Sequence, residues 1–277
     1  MDQQYNFYIV TEQPQLIIQK CRKHAQGTLR SFLFGFCILY IFINWIPQFL
    51  GLVFPVSYAD LISGLTRIDQ QLLNSIPDTP LAAYLYSILF SGVFQLGKAL
   101  YTMTYIRNRK VEYRAMWEGL QLWSKALGMF ILKTIVIGIG LMLFIIPGIM
   151  YALNFSQSYF ILADNPDKRV MEILLESKQM MLGNRMNYFM LILNYFPYLF
   201  LGYLPSFAVE NFTSLDTGSG TGFIIFLIAE IPFFLACGWL SIGQGAYYEL
   251  LRSYGFSNFR YAGESAFREN EPVRISR

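Results

Sequence analysis

The chain has 277 residues, 55% of them hydrophobic and only 14% charged, against about 25% charged in a typical soluble domain. The net charge of +3 says little as a whole-chain number, because the basic residues are gathered on one side of a series of apolar stretches. A nucleic-acid surface would set them among exposed aromatics in a soluble domain; no such domain is present, so no nucleic-acid partner is expected.

Residues 1–30 hold Asp2, Glu12 and four basic residues, without the short apolar core and small-residue cleavage site of a signal peptide. The first apolar stretch is therefore expected to stay as an anchor. Within this segment a weak amphipathic pattern runs through 13–27, with Leu16, Ile17 and Cys21 opposite Lys20 and Lys23. The hydrocarbon core is ~30 Å thick, so a spanning helix needs roughly 20 apolar residues. Spans are predicted at 31–54, 81–106, 127–146, 148–163, 186–209 and 222–251. The tight turn between the third and fourth falls at Pro147-Gly148, and flexible outer turns fall at 74–80 and 218–222.

Two clearer amphipathic helices are predicted between the spans. In 108–126, Tyr113, Met116, Leu120 and Trp123 oppose Arg114, Glu118, Gln121 and Lys125. In 166–183, Val170, Ile173, Leu174 and Met181 oppose Arg169, Glu172, Glu176 and Gln179. Asp164-Asn165 is placed to cap this helix, Pro166 to occupy its first position and Gly183-Asn184 to end it. Such helices lie in the headgroup plane or pack on the inner ends of the bundle. The order amphipathic helix, span, span recurs three times, with Gly27, Gly128 and Gly183 at the entries into the membrane, although no further residue-level repeat is visible.

Orientation follows from the basic residues. Segments 1–30, 107–126, 164–185 and 252–277 hold four, five, four and five Lys or Arg, and the opposite gaps hold Arg67 alone. Cytoplasmic loops concentrate Lys and Arg, so both termini, including the 252–277 tail, are expected inside. The fold class is thus an all-α membrane protein of six transmembrane helices with two or three cytoplasmic-side amphipathic helices. Three cysteines without an outer-loop pair, Cys21, Cys37 and Cys237, read as reduced, space-filling residues.

Polar residues inside the spans are the functional lead, because burying them in lipid without partners is costly. Ser91, Gln95, Lys98, Thr102 and Tyr105 form one stripe on the second span. Glu230, Cys237, Ser241, Gln244 and Tyr248 form another on the sixth. Asn154, Gln157 and Ser158 on the fourth span, and Asn187 and Asn194 on the fifth, add to them. They read either as interhelical hydrogen-bond glue, worth ~0.6 kcal/mol per contact, or as the lining of a polar interior. At 1.5 Å per residue Lys98 lies ~13 Å above the inner boundary and Glu230 ~18 Å above it. An extended lysine stem can close the ~5 Å gap, so a buried Lys98–Glu230 pair is one reading and a neutral carboxyl beside the Pro232 kink is another. Lys133, ~9 Å from the inner face, is expected to snorkel.

Signals of catalysis are missing. His24 has no carboxylate or cysteine cluster with metal spacing, the Gly138-Ile-Gly140 and Gly218–Gly222 stretches lack the context of a phosphate loop, and no nucleophile elbow can be assembled. No catalytic, cofactor-binding or metal residue is assigned. Asp164, Asp167, Lys168 and Arg169 are read as capping and solvated residues.

Three elements carry a resemblance. They are Ile-Pro147-Gly148-Ile, then Tyr159-Phe-Ile-Leu-Ala163-Asp164-Asn165-Pro166, then Ser177-Lys-Gln-Met180-Met-Leu-Gly183-Asn184; Ala246-Tyr247-Tyr248-Glu249-Leu250 extends the likeness. Together they resemble a bacterial membrane-protein family, mainly of Firmicutes, known as domain of unknown function 975. The resemblance implies a six-span plasma-membrane protein and brings no activity or site residues. A more distant similarity to the membrane portion of some glycerophosphodiester phosphodiesterases hints at envelope lipid biology. The leading expectation is a non-enzymatic envelope protein that binds lipids, by anionic headgroups at its inner face, or another membrane protein or peptide. The alternative is a small transporter or channel using the stripes on the second and sixth spans. A lipid-modifying enzyme has the least support.

Overall fold

The structure, a computed structural model, describes residues 9–54, 80–212 and 220–252, and every regular element among them is helical. The tail beyond Arg252, Arg67 and most of the expected outer turns lie outside the described residues. The elements are α1 (Pro14–His24), α2 (Leu29–Val53, with a π-helical turn at Ile41–Trp45) and α3 (Leu81–Asn108). They continue with α4 (Ala115–Glu118), α5 (Trp123–Leu143), α6 (Ile145–Asn154), α7 (Ser158–Asp164), α8 (Val170–Met180), α9 (Arg185–Phe212) and α10 (Gly220–Leu251).

Among the described residues, five runs are long and apolar enough to cross a membrane: Leu29–Val53, Ala115–Leu143, Ile145–Asp164, Arg185–Phe212 and Thr221–Leu251. The expected second span, α3, is long enough at 28 residues but falls outside this set. The reason is its stripe of Gln95, Lys98 and Thr102, which lowers its apolarity. It can carry those residues because it packs against α2, α4, α5, α7 and α10, so its second half faces protein instead of lipid. Eleven of its residues between Gly92 and Ile106 are buried.

Three local expectations are corrected. Segment 108–126 is not one amphipathic helix. Arg109 turns the chain with a left-handed φ of 53°, and only α4 and a 3₁₀ turn at Gly119–Leu122 precede α5. This short piece docks by its backbone: a side chain at Gly119 would meet the Gly97 nitrogen and Val93 carbonyl at 3.0 Å. Close approach of small residues is how membrane helices gain packing without a hydrophobic driving force. The turn between the third and fourth spans falls at Phe144, whose backbone is extended (φ −159°, ψ 150°), and not at Pro147-Gly148. Pro147 lies in the first turn of α6, where its missing N–H is not needed.

The third correction concerns α8. It begins at Val170 with Arg169 as N-cap, whose backbone N–H donates to Glu172 Oε2 at 3.1 Å. Pro166 lies before it and Asp164 ends α7, so neither caps it. Of the three entry glycines, Gly27 (φ 86°) and Gly183 (φ 83°) take the left-handed backbone that favours glycine, whereas Gly128 is an ordinary residue of α5. The core gathers at the end of the bundle where α3 and α10 finish, around Phe32, Tyr101, Tyr105, Ile161, Tyr247 and Tyr248. Large apolar side chains along α5, α9 and the first half of α10 are exposed, among them Ile139, Phe200, Leu201 and Ile228.

Candidate functional site

Helical spacing on four sides of the bundle builds one cavity of about 590 Å³. From α3 it takes Gln95, Lys98 and Ala99, which share a face at three- and four-residue steps. From α5 it takes Phe130, Lys133, Thr134, Ile137, Gly138 and Leu141, again one stripe. Leu153, Ser156 and Tyr159 close it from the α6–α7 region, Tyr188 and Ile192 from α9, and Gln244 from α10.

The cavity contains two ammonium groups and no carboxylate among its lining residues. Lys133 does not snorkel: its Nζ lies 4.5 Å from the centre of the Tyr159 ring, a cation–π contact worth roughly 0.5–2 kcal/mol. Lys98 lies close enough for its charge to act on Lys133. Among the described residues neither has an ion-pair partner. Further polar groups lie in or beside the cavity. The Tyr188 hydroxyl faces Ser156, Gln157 and Gln244, and the buried Tyr159 hydroxyl has no hydrogen-bond partner. Beyond Thr134 the α5 stripe is apolar.

The predicted site residues divide. Gln95, Lys98 and Gln244 come together in the cavity. Gln157 is fully buried beside it, donating to Ser156 Oγ at 3.1 Å while its own Oε1 has no partner. Ser241 is glue, bound to Thr102 Oγ1 at 2.6 Å across α3 and α10. Asn154 is buried and its backbone carbonyl accepts from Ser177 Oγ at 2.7 Å. Asn194 donates only to the Met190 carbonyl of its own helix. Glu230 lies apart from Lys98: its Oε2 accepts from Trp45 Nε1 at 3.0 Å, at the end of the π-helical turn. The pair with Lys98 considered from depth alone is not formed. Sequence reasoning missed Lys133, Tyr159 and Tyr188 as cavity residues. The signal for Lys133 was its depth, close to that of Lys98.

A second constellation sits where α3, α7 and α10 end. Arg107, on the last turn of α3, gives Nη1 and Nη2 to the two oxygens of Asp164 at 2.7 and 3.0 Å, and Nε to Glu249 Oε1 at 2.7 Å. Tyr248 donates to Asp164 Oδ2 at 3.0 Å, and Arg252 reaches the same oxygen at 3.3 Å. Asp164 is therefore the centre of a charged junction of α3, α7 and α10. Nearby, Asn184 holds the chain that precedes α1. Its Oδ1 accepts from the Val10 N–H at 2.8 Å, and its carbonyl accepts from the Tyr247 hydroxyl at 3.1 Å.

On α1, burial and the Arg109 guanidinium push His24 down to about 4. Arg109 Nε donates to His24 Nδ1 at 3.1 Å, which places the proton of the neutral ring on Nε2. Burial pushes the Cys21 thiol up to about 12, making it an inert packing group. Among the described residues no group of three metal-ligating side chains occurs.

Residues 130–252 match the family described as "Protein of unknown function (DUF975)", the family that the motifs at 146–184 and 246–250 resemble. No curated protein and no solved structure matches the chain. The matched region contains Lys133 of the cavity and both acids of the Arg107 junction.

Proposed function

We propose that the protein is a six-span component of the bacterial plasma membrane, both termini cytoplasmic, that binds lipids or other membrane proteins as a non-enzymatic organising or protective factor. The observation that carries lipid binding is the largely apolar cavity inside the bundle with two lysines and no acid on its walls. Anionic headgroups at the inner face are a second lipid contact. Arg22 and Lys23 are exposed in the last turn of α1 and Arg30 is exposed beyond it; each basic group near an anionic surface contributes ~1 kcal/mol. The sixth span in this reading is α3, whose second half is covered by protein. Its polar stripe is tolerated because membrane polar groups face bundle interiors or cavities.

The test is direct. Protein purified in mild detergent is extracted and its lipid measured by mass spectrometry; bound anionic lipid above the level of a control membrane protein of similar size is expected. Absence of enrichment, together with failure to sediment with anionic vesicles, overturns lipid binding. One observation favours a second reading, a transporter: Gln95, Lys98 and Gln244, from the polar stripes of the second and sixth spans, line one cavity. Reconstituted vesicles separate the two, because transport requires substrate-dependent flux and a lipid-binding organiser produces none.

A further inference from the structure

We infer that the cavity is a binding site for a single-chain amphiphile with an anionic head, a carboxylate or a phosphate monoester. Its head lies between Lys98 and Lys133, and its tail runs along Ile137, Gly138, Leu141 and Ile192. The inference rests on the lipid-binding reading and assigns the ligand class and its pose.

Charge selects the head. Two lysines line one cavity without a carboxylate among its lining residues, and the Tyr159 ring is the one wall group placed against either of them, so an anionic head supplies the counter-charge that the walls lack. The unpartnered hydroxyl of Tyr159, whose ring Lys133 covers, supplies a neutral donor, and Gln244 lines the same cavity. Charge-assisted hydrogen bonds of this kind are about twice as strong as neutral ones.

The walls select the tail. On α5 the residues after Lys133 that face the cavity are Thr134, Ile137, Gly138 and Leu141, so the apolar stripe continues ~6 Å and then ~12 Å beyond the ammonium at 1.5 Å per residue. Leu153 and Ile192 face it from α6 and α9. Free inorganic anions would leave this apolar half of the cavity unused. Space for a chain exists at Gly138 in particular, where an added side chain would meet nothing within 4 Å. The volume of about 590 Å³ falls within the roughly 300–1,000 Å³ of ordinary ligand pockets.

The experiment uses the full chain in detergent and dansyl-undecanoic acid as a fluorescent probe. Oleate and oleoyl-lysophosphatidate should each displace it, oleyl alcohol should compete roughly tenfold or more weakly, and inorganic phosphate should not compete. Lys98→Met with Lys133→Met should weaken the probe by roughly tenfold or more for loss of the charged contacts. Gly138→Phe fills the tail space. An aromatic residue suits a helix better than glycine, so this variant should keep its thermal stability while losing the probe, which preserves a decisive test if the lysine variants fold poorly.

Equal displacement by oleyl alcohol overturns the anionic head, and displacement by inorganic phosphate overturns the amphiphile in favour of a free anion. Unchanged probe binding by Gly138→Phe overturns the pose. Lipid that still co-purifies at the wild-type ratio with Gly138→Phe overturns this inference while leaving lipid binding elsewhere on the protein intact.

Discussion

Asp164→Asn removes the charge at the centre of the Arg107 junction without changing the size of the side chain. The carboxylate accepts four hydrogen bonds, two from Arg107, one from Tyr248 and one from Arg252, and its side chain is only 12% exposed. Breaking a buried ion pair by removing one partner costs about 3–5 kcal/mol. Here Arg107 is a third exposed and keeps Glu249, so water and the second acid recover part of the loss. A cost of about 2 kcal/mol is expected after that discount. Glu249→Gln should cost less, about 1 kcal/mol, because Arg107 retains its two bonds to Asp164. Arg107→Met takes the ion pair from Glu249 and leaves Asp164 with Arg252 and Tyr248 alone, and should cost the most. Unfolding in mixed detergent and SDS micelles measures all three. In a double-mutant cycle, Arg107→Met should cost at least about 1 kcal/mol less in the Asp164→Asn background than in wild type. If Asp164→Asn falls within about 0.5 kcal/mol of wild type, the junction is ornamental and the reasoning fails.

Three other outcomes are expected. His24, held at about 4 by burial and Arg109, lies below the ordinary value of about 6.5. Above the ordinary value the ring is neutral in both states. Between there and about 4 the unfolded chain takes a proton that the folded chain refuses, so stability falls on acidification by up to about 3 kcal/mol. His24→Gln should flatten that part of the pH–stability curve, and identical acid losses in both proteins would remove His24 as the cause. Lys98→Met and Glu230→Gln should have additive effects, coupled by less than about 0.5 kcal/mol, since Glu230 bonds to Trp45; mutual rescue in the double variant would restore the pair. In a cysteine-free background, cysteine at Ser75 or Ser214 should react with impermeant reagent on intact cells and cysteine at the exposed Lys178 should not; the reverse pattern inverts the orientation. Ser177 is unsuitable for this purpose because it is fully buried.

The helical class and most of the apolar runs were legible because both depend on local composition and period. The left-handed stop at Gly183 was legible for the same reason. Other features required knowing what each helix touches. The apolarity of α3 was overestimated as a lipid-facing property, whereas its stripe of Gln95, Lys98 and Thr102 is tolerated by protein on its second half. Asp164 followed by Asn165-Pro166 has the composition of a helix cap, and only the three-dimensional arrival of Arg107 and Tyr248 gives it another task. The amphipathic pattern of 108–126 was real, but Arg109 and the backbone contact at Gly119 divide it. The stripe spacing on the second and sixth spans brings Gln95, Lys98 and Gln244 to the cavity, whereas depth alone pairs Lys98 with Glu230, which binds Trp45 instead, and leaves Lys133 to snorkelling.

The junction at Arg107 has a consequence for the order in which the chain is made. Its two acids lie 57 and 142 residues further along the chain, on segments that are synthesised and inserted after α3. Until α7 arrives, the guanidinium at the end of α3 has neither acid, and until α10 arrives it lacks Glu249. Partly inserted forms therefore carry an unneutralised positive charge at the end of α3, and in the proposed orientation such a charge favours retention of that end on the cytoplasmic side. Arrival of the last helix then closes the junction. The same arginine that helps to orient an early helix becomes, once the last has been inserted, the contact that records completion of the bundle.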